Sequence, residues 1–146
     1  MQAVESYIRF KTDRLRDEWV GGDLHPALKL KVLAAAHWHF MQTGVATVVT
    51  SLLRTEEEQR NFYPTQPQKR SVHQYGRGAD LRTAHISMRA GEWAAWINQA
   101  YPYIGTPGKR TALVHEINGH GQHLHLQVGG SELEPVAVEN PVIQEA

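Results

Sequence analysis

The sequence contains no cysteine among its 146 residues, and this absence limits the chemistry that the chain can carry out. Without cysteine there is no disulfide, no thiolate nucleophile and no Cys-ligated zinc, so a metal site would use His, Asp and Glu. No charge of one sign is in excess, because 15 Lys and Arg balance 15 Asp and Glu. Such a balance predicts no nucleic-acid partner.

Long apolar runs are also absent. No window approaches the ~18 apolar residues that a membrane span needs, so we expect no membrane partner. The first residues are polar throughout and lack the apolar segment of a signal peptide. We therefore expect synthesis in a cytosol without an export signal.

Length and composition indicate one globular domain over residues 1–146, with 41% hydrophobic residues and enough chain for a core. Apolar periodicity, Gly and Pro positions and β-branched runs divide it into elements. The N-terminal segment 1–20 is predicted to hold a helix over 3–20, and a second helix is predicted over 27–42. Strands over 45–53 and 78–82 are followed by a helix over 89–100. An antiparallel strand pair over 111–117 and 123–128 then leads to a C-terminal tail over 131–146. This order predicts an α+β domain with helices on one face of a small, mostly antiparallel sheet.

Histidine is the residue in excess, with nine in the chain. In "SVHQYGRGAD", His73 and Asp80 flank small residues that let the chain turn sharply. In "HGQHLHLQV", His123 and His125 lie two apart, so a strand would place both on one face. Histidines taken singly are usually structural, but the two motifs together predict a metal site that three protein ligands would leave open at one corner.

The same motifs resemble those of a known family. "SVHQYGRGAD" resembles the Ser-x-His-x-x-Gly-x-Ala-x-Asp signature of the D-alanyl-D-alanine carboxypeptidase family of zinc peptidases, with Gly78 in the place of Ala. "HLH" resembles the later His-x-His of that family, and "TSLLRTEEEQ" resembles its Ser-Gly-Tyr-Arg segment. The three segments occur in the family's order between Thr50 and Val128. The family includes carboxypeptidases, murein endopeptidases and phage endolysins, and it shares its fold with hedgehog signalling domains.

The resemblance implies one Zn²⁺ per chain, with His73, Asp80 and His125 as its ligands. His123 would lie beside the metal and hydrogen-bond the substrate or a neighbouring group. The expected fold is therefore that of the hedgehog and D-Ala-D-Ala peptidase domains.

The resemblance also implies catalytic residues. Arg54 matches the arginine that binds the substrate carbonyl oxygen, and its alternative role is a surface salt bridge with the acidic run 56–58. Many members carry a carboxylate as general base three residues before the last zinc ligand, where this chain has Gln122. His120 is the expected substitute, and Glu116 is the other candidate.

The implied function is zinc-dependent hydrolysis of a peptide bond in peptidoglycan stem peptides, of the D-Ala-D-Ala or L-Ala-D-Glu type. Without an export signal, we expect a phage lysin or a virion-associated murein peptidase, acting at the cell wall after lysis or from a virion, with virion or tail proteins as further partners. A bacterial cytosolic dipeptidase stays open. The alternative is a non-catalytic zinc-binding structural or virion-assembly module of the same fold, which the amide of Gln122 favours.

Overall fold

The computed structural model describes residues 7–66, 70–84, 89–116, 121–130 and 132. Its elements are, in chain order, β1 (Ile8–Phe10), α1 (Asp13–Val20), α2 (Pro26–Thr43), β2 (Thr47–Ser51), α3 (Glu56–Phe62), a short 3₁₀ helix (Val72–Tyr75), β3 (Gly78–Arg82), α4 (Ala90–Ala100), β4 (Ala112–Glu116) and β5 (Gln122–Gln127). The strands form one five-stranded sheet in the order β1-β2-β3-β5-β4. Only β1 and β2 pair in parallel, so the sheet is mostly antiparallel and the predicted α+β class is confirmed.

Helix α2 is the longest element, and its sequence explains both ends. The ring of His25 accepts a hydrogen bond from the backbone N–H of Ala27 at 3.0 Å, and Pro26 occupies the first helical turn. At the other end Gly44 takes a left-handed conformation, with φ 73°, and ends the helix. The helix therefore covers the predicted range 27–42 and extends one residue further at each end.

The hydrophobic core lies between one face of the sheet and helices α2 and α4. Leu81 of β3 and Leu124 and Leu126 of β5 are fully buried there. Trp93 of α4 is also fully buried, and its indole N–H donates to the carbonyl oxygen of Ala35 in α2 at 3.1 Å. Because side chains alternate along a strand, Asp80 of β3 and His123, His125 and Gln127 of β5 lie on the opposite face.

The predicted N-terminal helix over residues 3–20 is wrong at Ile8–Phe10, which form β1 and pair with β2. Helix α1 begins only after Thr12, whose hydroxyl accepts a hydrogen bond from the backbone N–H of Leu15 at 3.2 Å. An apolar stripe favours a helix locally, but pairing with a distant strand overrides that preference. Residues 1–6 lie outside the described ranges.

The predicted C-terminal tail over 131–146 is described only at Glu132. Its carboxylate forms an ion pair of 2.9 Å with the ammonium group of Lys31 in α2, whose side chain is buried. Across the described ranges, no helix combines the length and the apolar character that crossing a membrane requires.

Candidate metal centre

Three buried side chains meet on the polar face of the sheet. His73 comes from the 3₁₀ helix, Asp80 from β3 and His125 from β5. Asp80 and His125 are direct neighbours in the antiparallel pairing of β3 and β5. One potential ligand atom from each of the three lies within 4.8 Å of the other two. The structure thus brings together the three residues that the motifs predict as metal ligands.

The loop before β3 is shaped by local hydrogen bonds. Ser71 and Gln74 form a reciprocal capping box around the 3₁₀ helix, which fixes the backbone that carries His73. Gly76 then ends this helix with φ 70°, in the left-handed region. A Cβ atom there would collide with the backbone carbonyl oxygen of Asp23, so only glycine fits.

Gly78 marks the one departure of the first motif from the family signature. A Cβ atom at this position would lie 2.5 Å from Cγ2 of Val72 and 3.4 Å from Cε1 of His125. An alanine would therefore need Val72 to move, and the departure from the signature agrees with how closely β3 approaches the 3₁₀ helix in this chain.

Hydrogen bonds behind the two imidazoles determine their tautomers. Nδ1 of His73 lies 2.7 Å from the carbonyl oxygen of Leu52, which can only accept, so this nitrogen carries the proton. Nε2 of His125 lies 3.2 Å from Oε1 of Gln127. The amide of Gln127 is oriented in turn, because its Nε2 donates to the carbonyl oxygen of Arg110 at 2.8 Å. Nε2 of His125 is therefore the donor in its pair.

The remaining ring nitrogens point at one carboxylate oxygen. Nε2 of His73 lies 3.3 Å from Oδ1 of Asp80, and Nδ1 of His125 lies 3.0 Å from the same oxygen. In the neutral rings both contacts set a nitrogen lone pair against a carboxylate, and this repulsion is removed either by a metal ion among the three groups or by a second proton on each ring. Bond lengths of about 2.0–2.2 Å in a tetrahedral zinc site separate neighbouring ligand atoms by about 3.4 Å. The observed spacings fit a metal ion.

The charge state of Asp80 suits this role. Burial raises the pKa of its carboxyl group, but the neighbouring imidazoles of His73 and His125 outweigh that effect. They hold the pKa of Asp80 well below its usual range, so the group is ionised at neutral pH. The three side chains therefore form a buried group that could hold a metal ion. Two imidazoles and one carboxylate suit several first-row metals.

The group lies in an open pocket of about 270 Å³. The described residues that line it are Arg54, Tyr63, Arg70, Ser71, Val72, His73, Asp80, Lys109, Leu113, His115, His123, His125 and Gln127. Three of these carry a fixed positive charge, and Asp80 is the one acidic side chain among them. Because Arg70 forms an ion pair of 3.3 Å with Glu56, Arg54 and Lys109 are the cations through which the pocket favours anionic groups on a ligand.

Arg54 is buried in the pocket wall, as its predicted role requires. One terminal nitrogen of its guanidinium donates to Oε1 of Gln59 at 2.9 Å, and the group lies 4.2 Å from the ring centre of Phe62. Its backbone N–H donates to the carbonyl oxygen of His73 at 3.1 Å, which ties it to the ligand loop. Its side chain donates a hydrogen bond to Gln59. The predicted alternative role was a surface salt bridge with the acidic run 56–58.

The candidates for proton transfer are placed differently. His123 lies beside the group, with Nε2 at 3.6 Å from Oδ1 of Asp80. Glu116 is exposed at the end of β4 and pairs with Gln122 in the register, on the face opposite His123. The structure therefore keeps Glu116 and Gln122 away from the pocket. His120 lies outside the described residues.

His115 is a pocket residue that the sequence reasoning missed. It stands opposite His123 in the pairing of β4 and β5, and the ring centres of the two lie 4.6 Å apart. Its Nε2 is buried and has no hydrogen-bond partner. Burial lowers the pKa of His115, and the imidazoles of His125 and His123 lower it further. The alternation that places Glu116 on one face of β4 could have placed His115 on the other.

Comparison with known protein families, characterised proteins and solved structures found no match to this chain. The resemblance of its motifs to the D-alanyl-D-alanine carboxypeptidase family therefore stays a prediction. What the structure adds is a buried group of two histidines and one aspartate, built from distant parts of the chain, that could hold a metal ion.

Proposed function

We propose that the protein is a zinc-dependent peptidase that hydrolyses a peptide bond in peptidoglycan stem peptides. The observation that carries this proposal is the pair of tautomer-fixed imidazoles facing Asp80 at the floor of an open pocket, with buried Arg54 in its wall. The assignment to cell-wall peptides, to phage lysins or virion-associated enzymes, and to virion or tail partners depends on the motif resemblance.

A zinc ion held by the three ligands would supply Lewis acidity toward the scissile carbonyl and would acidify a water molecule. The protein's own part begins with Arg54. Its guanidinium stays protonated despite burial and is held by Gln59 and Phe62, so it is preorganised before substrate binds. In this position it stabilises negative charge that develops on the substrate carbonyl oxygen.

Proton transfer falls to imidazoles in this proposal. Among the described lining residues, Asp80 is the only carboxylate, and it faces the two ligand histidines. His115 and His123 each present a buried Nε2 that has no hydrogen-bond partner. Such a nitrogen can accept a proton from water in the pocket and return it to the leaving amine.

The charge of the pocket supports a substrate that carries carboxylates. Arg70 forms an ion pair of 3.3 Å with Glu56, so the positive charge that the pocket presents to a ligand comes from Arg54 and Lys109. Stem peptides carry a C-terminal carboxylate and acidic side chains, and these would be attracted to such a pocket.

A non-catalytic metal-binding role is the second candidate. It is favoured by the position of Glu116, which is exposed and on the opposite face of the sheet from His115. The described part of the pocket thus offers no free carboxylate as a base, and a metal there could serve only to hold the loop of His73 against β3 and β5.

One experiment separates the two candidates. The metal content of the purified protein is measured beside His73→Ala, and both are then incubated with purified peptidoglycan while released amino groups are identified by mass spectrometry. The peptidase reading predicts about one zinc per chain and cleavage at one type of peptide bond, both lost in the variant. Bound zinc without cleavage would leave the structural role, and no bound metal would refute both.

A further inference from the structure

We propose that His123 is a fourth ligand of the metal in the substrate-free protein. The centre would then be a closed site of three histidines and one aspartate, which opens only when the ring of His123 turns away. The inference requires a metal at the candidate centre but does not depend on peptidase activity.

The first argument is the tautomer of His123. Its Nδ1 lies 3.3 Å from the carbonyl oxygen of Gly121, which can only accept a hydrogen bond. Nδ1 therefore carries the proton, and Nε2 presents a lone pair. This nitrogen is buried and has no hydrogen-bond partner, which is a costly state unless something binds it.

The second argument is where that lone pair points. Nε2 of His123 lies 3.6 Å from Oδ1 of Asp80, the same oxygen that the lone pairs of His73 and His125 face at 3.3 and 3.0 Å. In the neutral rings three lone-pair nitrogens thus surround one ionised oxygen, an arrangement that a metal ion among them would stabilise. Their spacings bracket the ~3.4 Å that separates the ligand atoms of a tetrahedral zinc site.

A rotation of the His123 ring would be needed to complete the coordination. His123 is not part of the group whose ligand atoms all lie within 4.8 Å of one another, so its ring must turn further toward the other two imidazoles. The ring packs on His115 on one side and borders the open pocket on the other. The side that borders the pocket, and not the side that packs on His115, therefore gives the ring room to turn.

The consequence concerns access to the metal. Four protein ligands are typical of structural zinc sites, whereas catalytic sites keep one position for water or substrate. In this chain one residue would determine which of the two states is present. With His123 bound the centre is closed, and with His123 turned away the centre has an open position.

The test counts the histidines bound to zinc. X-ray absorption at the zinc edge is measured on the zinc-loaded wild type, His123→Ala and His115→Ala. A count of bound imidazoles is needed because residues that only contact the ligands also change metal affinity, by about 10–100-fold, so affinity alone does not identify a ligand. We expect three imidazoles in the wild type, two in His123→Ala and three in His115→Ala, the matched control.

Two bound imidazoles in the wild type would overturn the proposal while leaving the metal centre intact. A wild type that binds no zinc would overturn it together with the centre. Should His123→Ala fail to fold, the count in the wild type still decides. Cleavage or non-cleavage of peptidoglycan changes none of these outcomes, so failure of the proposed peptidase function is seen separately.

Discussion

Replacing Gln127 with leucine tests whether the hydrogen bond behind His125 prepares the metal site. Oε1 of Gln127 accepts the proton of His125 Nε2 at 3.2 Å, and this bond turns Nδ1 toward Asp80. Leucine fills a similar volume but accepts no hydrogen bond, so the imidazole loses the partner that fixes its tautomer. Loss of such a partner weakens metal binding by about 10–100-fold, which corresponds to about 1.4–2.7 kcal/mol.

The assay is competition for zinc against a chromophoric chelator at pH 7, with Gln122→Leu as the matched control. Gln122 lies on the same strand but is exposed on the opposite face, so its replacement should leave the dissociation constant unchanged. Unfolding by urea, measured without metal, separates the affinity change from the loss of the bond to the carbonyl oxygen of Arg110. If Gln127→Leu binds zinc as tightly as the wild type, His125 is not oriented in the way that we infer.

Three further predictions concern other parts of the chain. Gly76→Ala should lower the free energy of unfolding in urea by more than the ~1–3 kcal/mol of left-handed strain, because the new Cβ meets the carbonyl of Asp23. Gly44→Ala has open space around it and should cost only the strain, so equal losses in the two variants would refute the argument. Burial lowers the pKa of His39, so stability present above pH ~6.5 should be lost as the pH falls, by up to about 1.4 kcal/mol per pH unit. The urea midpoint of His39→Leu should therefore depend less steeply on pH than that of the wild type, and an equally steep dependence would contradict this. Arg54→Lys should reduce turnover on peptidoglycan by about 10²–10³-fold with zinc content unchanged, because lysine cannot keep the bond to Gln59 and the contact with Phe62. A turnover equal to that of the wild type would remove Arg54 from the mechanism.

The parts of the fold that sequence could predict are those set by local signals. Pro26 and Gly44 bound α2, and the range predicted for β3, 78–82, is the range that the structure shows. β1 could not be predicted in this way. Its three residues gain their hydrogen bonds from β2, almost forty positions later in the chain, and nothing within the segment itself signals that partner.

The same distinction applies to the site. The three residues that could hold a metal ion were predictable because each motif holds them at a characteristic spacing. Alternation along β5 already places His123, His125 and Gln127 on one face. The carbonyl oxygen of Leu52 was not predictable, because a backbone atom leaves no pattern of residue types. His115 required the register of β4 against β5, which strand composition alone does not determine.

The ligand group by itself does not decide between hydrolysis and a structural role, since both need the same three side chains. The difference lies at the fourth position, where the described residues offer imidazoles instead of a carboxylate. An imidazole can bind a metal ion or move a proton. His123 can therefore close the centre in one orientation and leave it open in another. The orientation of this one ring, which no motif encodes, is where the two functions diverge.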